Sequence, residues 1–183
     1  MSTEQSEPTE TTAVPAGSAA GQAAIDDLLS ANRRYVRDFP GARAVQPALH
    51  LAVVTCMDSR LDLFGALGLA IGDAHLIRNG GGIVTDDVLR SLAISQRALG
   101  TREVMLIHHT QCGMFGFDDL EFRYQLAKES GAEPSWRVPG FTDVEQDVRQ
   151  SVARVKECPW LPHREVVRGF VFDVDTAAIT EVD

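Results

Sequence analysis

Short, nearly continuous apolar runs recur along the chain and alternate with amphipathic stretches. Continuous apolar runs of this length are typical of strands that are buried on both faces of a parallel sheet. Periodicity alone leaves buried helical segments as the alternative. The predicted strands are Leu49–Thr55, Ala74–Arg78, Glu103–His109 and Val166–Val174.

Apolar residues at helical spacing predict helices before and between these strands. The predicted helices are Ile25–Phe39, Thr85–Leu99, Asp118–Ser130 and Thr142–Glu157. Thr85 is a plausible N-cap, and Thr142 with Glu145 has the spacing of a capping box. Strands that alternate with helices predict an α/β fold with a mostly parallel central sheet flanked by helices.

Residues 1–24 contain no aromatic residue and no Lys or Arg. A segment of this composition buries too little apolar surface to offset its ordering entropy, so we expect a disordered tail. The remaining residues, 25–183, are expected to form a single domain. The tail lacks the basic start and apolar run of a signal peptide, so we expect a cytoplasmic protein.

Composition excludes several classes of protein. The 183 residues carry 17 basic and 26 acidic side chains, a formal net charge of −9. This balance argues against a nucleic-acid partner, and the apolar runs are too short for a bilayer-spanning segment. Three cysteines are too few for a disulfide-stapled scaffold, and their odd number points to thiols that serve metal binding or catalysis.

Chemically distinctive residues follow the predicted strands, where sites of open parallel sheets gather. Cys56 follows the first strand, His109 ends the third, and Cys112 comes three residues later. Two thiolates and an imidazole suit zinc, and a catalytic zinc site keeps a fourth position open. The alternative is two buried cysteines beside a core histidine.

Asp58 and Arg60 lie next to the first candidate ligand. A bidentate ion pair would keep the carboxylate ionised and oriented, whereas a solvent-exposed pair would contribute little. Gly80–Gly82 follows the second strand and is either a simple turn or a close backbone approach to a small ligand. His108 should point to the opposite face of its strand from His109, and we expect it to pack in the core.

Two motifs together resemble the β-class carbonic anhydrases, namely Cys56-x-Asp58-x-Arg60 and His109-x-x-Cys112. The stretches HLAVVTCMDSRLD, HLIRNGGGIVTDDVLRSLAISQRALGTREVMLIHHTQCGM and RGFVFDV also resemble the short bacterial branch of that family, including its mycobacterial members. The resemblance covers roughly residues 25–182.

The resemblance implies a catalytic zinc centre. Cys56, His109 and Cys112 would bind one zinc ion per chain, and Asp58 with Arg60 would form the catalytic dyad. The family hydrates carbon dioxide reversibly to bicarbonate and a proton, through attack by a hydroxide on the zinc.

It also implies an architecture and an assembly. The parallel-sheet core would carry a short extra edge strand. Gly81 and Gly82 would lie where the backbone approaches the bound substrate anion. The family forms homodimers or homotetramers in which the N-terminal helix, here Ile25–Phe39, packs on the partner subunit.

The charges of the proposed ligands predict how acidic a water bound to this zinc would be. Two thiolates nearly neutralise its +2 charge, so bound water should ionise at a higher pH than in a three-histidine site. Activity should therefore rise on the alkaline side of neutrality. Two alternatives remain, a carbonyl sulfide or carbon disulfide hydrolase with the same zinc site, and a non-catalytic bicarbonate-binding zinc protein in which Asp58 closes the fourth position.

Overall fold

The structure, a computed structural model, describes residues 24–183. They fall into two compact units, one ending at Ala42 and the other comprising Arg43–Asp183. The expectation of a disordered tail lies, for residues 1–23, outside the described residues, and the extent of the single domain stays a prediction. Among the described residues, no helix is long and apolar enough to cross a membrane.

The first unit contains helix α1, Ala24–Tyr35, followed by the 3₁₀ turn Val36–Asp38. Two aspartates stand in the first turn of α1 and two arginines in its last turn, an arrangement that suits the helix dipole. None of the residues of α1 is buried. The predicted helix over residues 25–39 is thus present, and its packing on a partner subunit stays a prediction.

The second unit is built on one five-stranded sheet, in the order β2-β1-β3-β4-β5. The strands are β1 (Leu51–Cys56), β2 (Ala74–Asn79), β3 (Glu103–His109), β4 (Val167–Phe172) and β5 (Ile179–Val182). Strands β1 to β4 are parallel and β5 is antiparallel to β4. The predicted α/β class and its mostly parallel sheet are confirmed, and β5 is a short edge strand.

Four helices connect or flank these strands: α2 (Leu63–Leu67), α3 (Asp86–Arg97), α4 (Asp119–Ser130) and α5 (Val144–Glu157). Thr85 caps α3 as predicted, because its side chain accepts a hydrogen bond from the Val88 amide. The capping box predicted at Thr142 is wrong. Asp143 has extended backbone and accepts from the Gln146 amide at 3.0 Å, and its negative charge suits a helix N-terminus.

Apolar residues cover both faces of the sheet. One cluster joins Val54 and Leu106 to α3 and α5, and the other contains Val53, Ile107 and Phe172. Neighbouring residues of a strand point to opposite faces, which explains why both faces are apolar. His108 lies two residues after Leu106 in β3, so both side chains point to the same face of the sheet. The prediction that His108 faces away from His109 is therefore confirmed.

Candidate metal centre

Three potential metal ligands meet at the carboxyl ends of β1 and β3. These strands are parallel neighbours, so Cys56 at the end of one lies near His109 at the end of the other. Gln111 has a positive φ of 53°, and the turn there brings Cys112 back to the same place. One candidate ligand atom from each of the three residues lies within 4.8 Å of the others, and all three side chains are buried.

The imidazole of His109 is oriented for metal binding. Its Nδ1 lies 2.8 Å from the Thr110 carbonyl oxygen, and a carbonyl only accepts, so Nδ1 carries the proton. Nε2 is buried and has no hydrogen-bond partner among the described residues. A ligand histidine has this arrangement, with one nitrogen held by a carbonyl and the other directed at the metal. The donor set of two thiols and one imidazole therefore fits zinc.

The two thiols are unequal. The sulfurs of Cys56 and Cys112 lie 3.9 Å apart. The hydrogen bond from Cys112, together with His109 and the backbone amides of Asp58 and Gly81, lowers the pKa of Cys56 to about 4 against the effect of burial. The neighbouring Cys56 thiolate and burial raise the pKa of Cys112. Without a bound cation, Cys56 is therefore ionised, and its negative charge opposes the ionisation of Cys112.

The pKa of His109 is shifted as well. Burial lowers the pKa of His109, but the Cys56 sulfur, the Thr110 carbonyl and the charge of Asp58 outweigh burial, so the pKa lies above its ordinary value. The centre therefore attracts positive charge. A dication provides that charge and allows both thiols to ionise.

Asp58 and Arg60 form a bidentate pair on the loop after β1. The Arg60 Nε donates to Asp58 Oδ1 at 3.0 Å, and its Nη2 donates to Oδ2 at 2.7 Å. Nη2 also donates to the Gln111 carbonyl at 3.0 Å, which ties the pair to the loop between His109 and Cys112. The two sequence-predicted motifs are thus in direct contact.

The Asp58 carboxylate faces the candidate ligands. Its Oδ2 lies 3.8 Å from Nε2 of His109. The hydrogen bonds from the side chain and backbone of Arg60 hold the pKa of Asp58 well below its usual range. An ionised acceptor, held by its hydrogen bonds with Arg60, therefore lies beside the centre.

Arg78, at the end of β2, is a residue that sequence reasoning missed. Its guanidinium donates to three carbonyls of the loop after β1, those of Cys56 at 2.8 Å, Asp58 at 2.6 Å and Leu61 at 3.4 Å. It therefore fixes the loop that carries Cys56, Asp58 and Arg60. A single arginine at the end of an apolar strand was the available signal, but its carbonyl partners have no sequence signature.

The glycine turn Gly80–Gly82 lies against the same loop. Gly81 and Gly82 have φ of 83° and 72°. A Cβ on Gly82 would lie 2.9 Å from the backbone nitrogen of Cys56, so only glycine permits this approach. The contact of Gly81 and Gly82 with substrate stays a prediction.

Comparison with known proteins agrees with this geometry. A family model described as carbonic anhydrase matches residues 51–136. The chain is 48% identical over 157 residues to β-carbonic anhydrase 1 of Mycobacterium bovis, a match that covers 86% of this chain and 96% of that protein. A carbonic anhydrase structure from Streptococcus mutans has a TM-score of 0.82 and 42% identity, covering 89% of this chain and 99% of that one.

The chain therefore belongs to the β-class carbonic anhydrases, a family of enzymes. A carbon disulfide hydrolase of Acidithiobacillus thiooxidans is also similar, at 33% identity over 176 residues, with 81% of this chain and 77% of that protein covered. The family resemblance seen in the two motifs is confirmed.

Proposed function

We propose that this enzyme hydrates carbon dioxide reversibly to bicarbonate and a proton, with zinc held by Cys56, His109 and Cys112. One observation carries the proposal: an ionised carboxylate, Asp58, is fixed by Arg60 at 3.8 Å from Nε2 of His109, which has no hydrogen-bond partner within residues 24–183. The higher identity to a carbonic anhydrase, 48% against 33% for a carbon disulfide hydrolase, supports the choice of substrate.

A zinc ion held by these three residues would supply a Lewis acid that lowers the pKa of water, less strongly than in a three-histidine site because two of the ligands are thiolates. His109 presents Nε2 because its Nδ1 is committed to the Thr110 carbonyl. The two sulfurs provide the negative charge that holds the cation.

Asp58 acts as the oriented acceptor. Its carboxylate accepts a hydrogen bond from the attacking water and thereby directs the oxygen lone pair at carbon dioxide. The new carbon–oxygen bond forms as one carbon–oxygen double bond of the substrate becomes single, and the proton leaves to buffer. The pKa of Asp58 lies too far below its usual range for the carboxylate to be neutralised near pH 7.

Arg60 has two effects on that carboxylate. Its guanidinium keeps Asp58 ionised, and its two hydrogen bonds, 3.0 Å and 2.7 Å long, restrain the carboxylate. Without this restraint the carboxylate would be free to bind a zinc ion itself and exclude water. The backbone of Gly81 and Gly82, which lacks side chains beside Cys56, is proposed to contact the bicarbonate anion.

Carbon disulfide is the second candidate substrate, favoured by the 33% identical hydrolase. The test measures carbon dioxide hydration, and hydrogen sulfide release from carbon disulfide and carbonyl sulfide, on one zinc-quantified preparation. Fast hydration with little sulfide release supports the proposal. Sulfide release without hydration contradicts it in favour of the hydrolase, and neither activity favours a binding protein.

The proposal includes a homodimer or homotetramer in the cytoplasm. Three buried free cysteines are consistent with a reducing compartment. Sedimentation of the purified enzyme tests the assembly, and a monomer would contradict it.

A further inference from the structure

His108 is a buried histidine that precedes the candidate ligand His109, and its ring approaches Asp147. Nδ1 of His108 lies 3.1 Å from Oδ2 of Asp147, and neither of these two buried atoms makes a hydrogen bond among the described residues. The histidine belongs to β3 and the aspartate to α5. Neither the two sequence motifs nor the proposed reaction uses either residue.

The other edge of the His108 ring is also engaged. Its Nε2 lies 3.1 Å from the Gly82 carbonyl oxygen. Because a carbonyl only accepts, Nε2 is the donor. The ring also stacks on Phe141, with centroids 6.0 Å apart. The hydrogen bond to Gly82 and the stack on Phe141 fix the position and orientation of His108.

Gly82 connects this pair to the metal centre. Its Cα packs directly on the backbone of Thr55 and Cys56, where an added Cβ would lie 2.9 Å away. A displaced turn would therefore change the surroundings of a zinc ligand.

We propose that His108 is a positioning residue that holds the Gly80–Gly82 turn against Cys56 and so preorganises the metal centre. Its effect on turnover rests on the proposed function, whereas its effect on metal retention does not. Groups that orient metal ligands from outside the coordination sphere commonly change metal affinity about 10–100-fold.

Two variants distinguish the effect of the hydrogen bond to Gly82 from the effect of the size of the ring. His108→Phe keeps the stack on Phe141 and removes the donor to Gly82. His108→Gln places an amide donor near the position of Nε2. Zinc loss into excess chelator should become about 10–100-fold faster in His108→Phe, with most of the effect rescued in His108→Gln.

His108→Leu provides a second variant that lacks the donor. Its apolar side chain suits the buried position, so zinc loss should be as fast as in His108→Phe. This variant decides the question if His108→Phe does not fold.

Val155→Ala is the control for general destabilisation, because Val155 is a fully buried residue of α5. It should lower the denaturant midpoint without changing zinc loss. Replacement of zinc by Co²⁺ adds a spectroscopic signature, since the thiolate–cobalt absorption band should shift in His108→Phe and stay unchanged in Val155→Ala.

Wild-type zinc retention in both His108→Phe and His108→Leu would overturn the proposal, as would equally fast zinc loss in Val155→Ala. Carbon dioxide hydration is measured on the same zinc-loaded samples. An enzyme that retains zinc through His108 but hydrates no carbon dioxide would contradict the proposed function alone.

Discussion

Oδ2 of Asp58 lies 3.8 Å from Nε2 of His109 and 2.7 Å from Nη2 of Arg60. Arg60 thus donates a hydrogen bond to the same carboxylate oxygen that lies near the candidate metal ligand. The same short loop therefore brings a negative charge to the centre and restrains it. This relationship connects the two sequence motifs and carries the proposed chemistry.

Replacing Asp58 by Asn removes the charge and keeps the shape. Because an amide oxygen is a weaker acceptor, kcat/KM for carbon dioxide hydration should fall about 100-fold while zinc content stays near one per chain. Asp143→Asn is the matched control, since asparagine also caps helices, and it should keep full activity. Full activity in Asp58→Asn would remove the carboxylate from the mechanism.

Gly82→Ala tests the close packing of the glycine turn on Cys56. A positive φ alone costs an alanine about 1–3 kcal/mol. Gly82→Ala adds a contact of 2.9 Å with backbone, so both stability and zinc retention should fall. Gly131→Ala has the same kind of backbone strain, φ 73°, with no atom within 4 Å of the added Cβ.

Chemical denaturation and zinc loss into chelator distinguish these two glycine variants. Gly131→Ala should be less stable than wild type but should retain zinc normally. Equal behaviour of the two variants would show that the turn does not support the centre.

Arg78→Lys tests the restraint of the loop after β1. A single ammonium cannot replace a guanidinium that donates to three carbonyls, so the free energy of unfolding should fall by about 1–2 kcal/mol and turnover should decrease. Arg90→Lys, which changes an exposed ion pair with Asp87, should alter stability by less than about 0.5 kcal/mol. Wild-type turnover in Arg78→Lys would contradict the role of the loop restraint.

The metal-free protein should contain a thiolate at low pH. Because the pKa of Cys56 is lowered to about 4, its thiolate ultraviolet absorbance should persist as the pH falls from 7 and disappear near pH 4. Ionised Cys56 stabilises the fold fully above the ordinary thiol pKa, and this contribution is lost as the pH falls through about 4.

Two variants test the assignment of that thiolate. Cys112→Ala should raise the pKa of Cys56, because it removes the hydrogen bond from Cys112 that is the largest cause of the low value. Cys158→Ala, at a buried cysteine outside the cluster of ligands, should leave the transition unchanged. A thiolate transition near the ordinary pKa of about 8.5 would contradict this electrostatic account.

Much of the fold could be predicted because buried parallel strands have a strong apolar signature. The four runs placed Cys56 and His109 at strand ends, and the parallel arrangement then brought them together. Helix α2 and strand β5 were not predicted from the pattern, because five and four residues are too few to show a period.

Parts of the site depend on contacts that the sequence does not display. Arg78 bonds to backbone carbonyls, and His108 bonds to the carbonyl of Gly82, so only the folded chain reveals these partners. The cap at Asp143 was missed because Thr142 and Glu145 also matched a capping pattern, and local geometry decided between the two candidates.

The central claim is tested most directly by stopped-flow carbon dioxide hydration from about pH 6.5 to about pH 9, on protein whose zinc content is measured in parallel. We expect zinc near one per chain and a rate that rises toward alkaline pH, because two thiolates make the metal a weak Lewis acid. Bound zinc with no hydration at any pH in this range would contradict the proposed function.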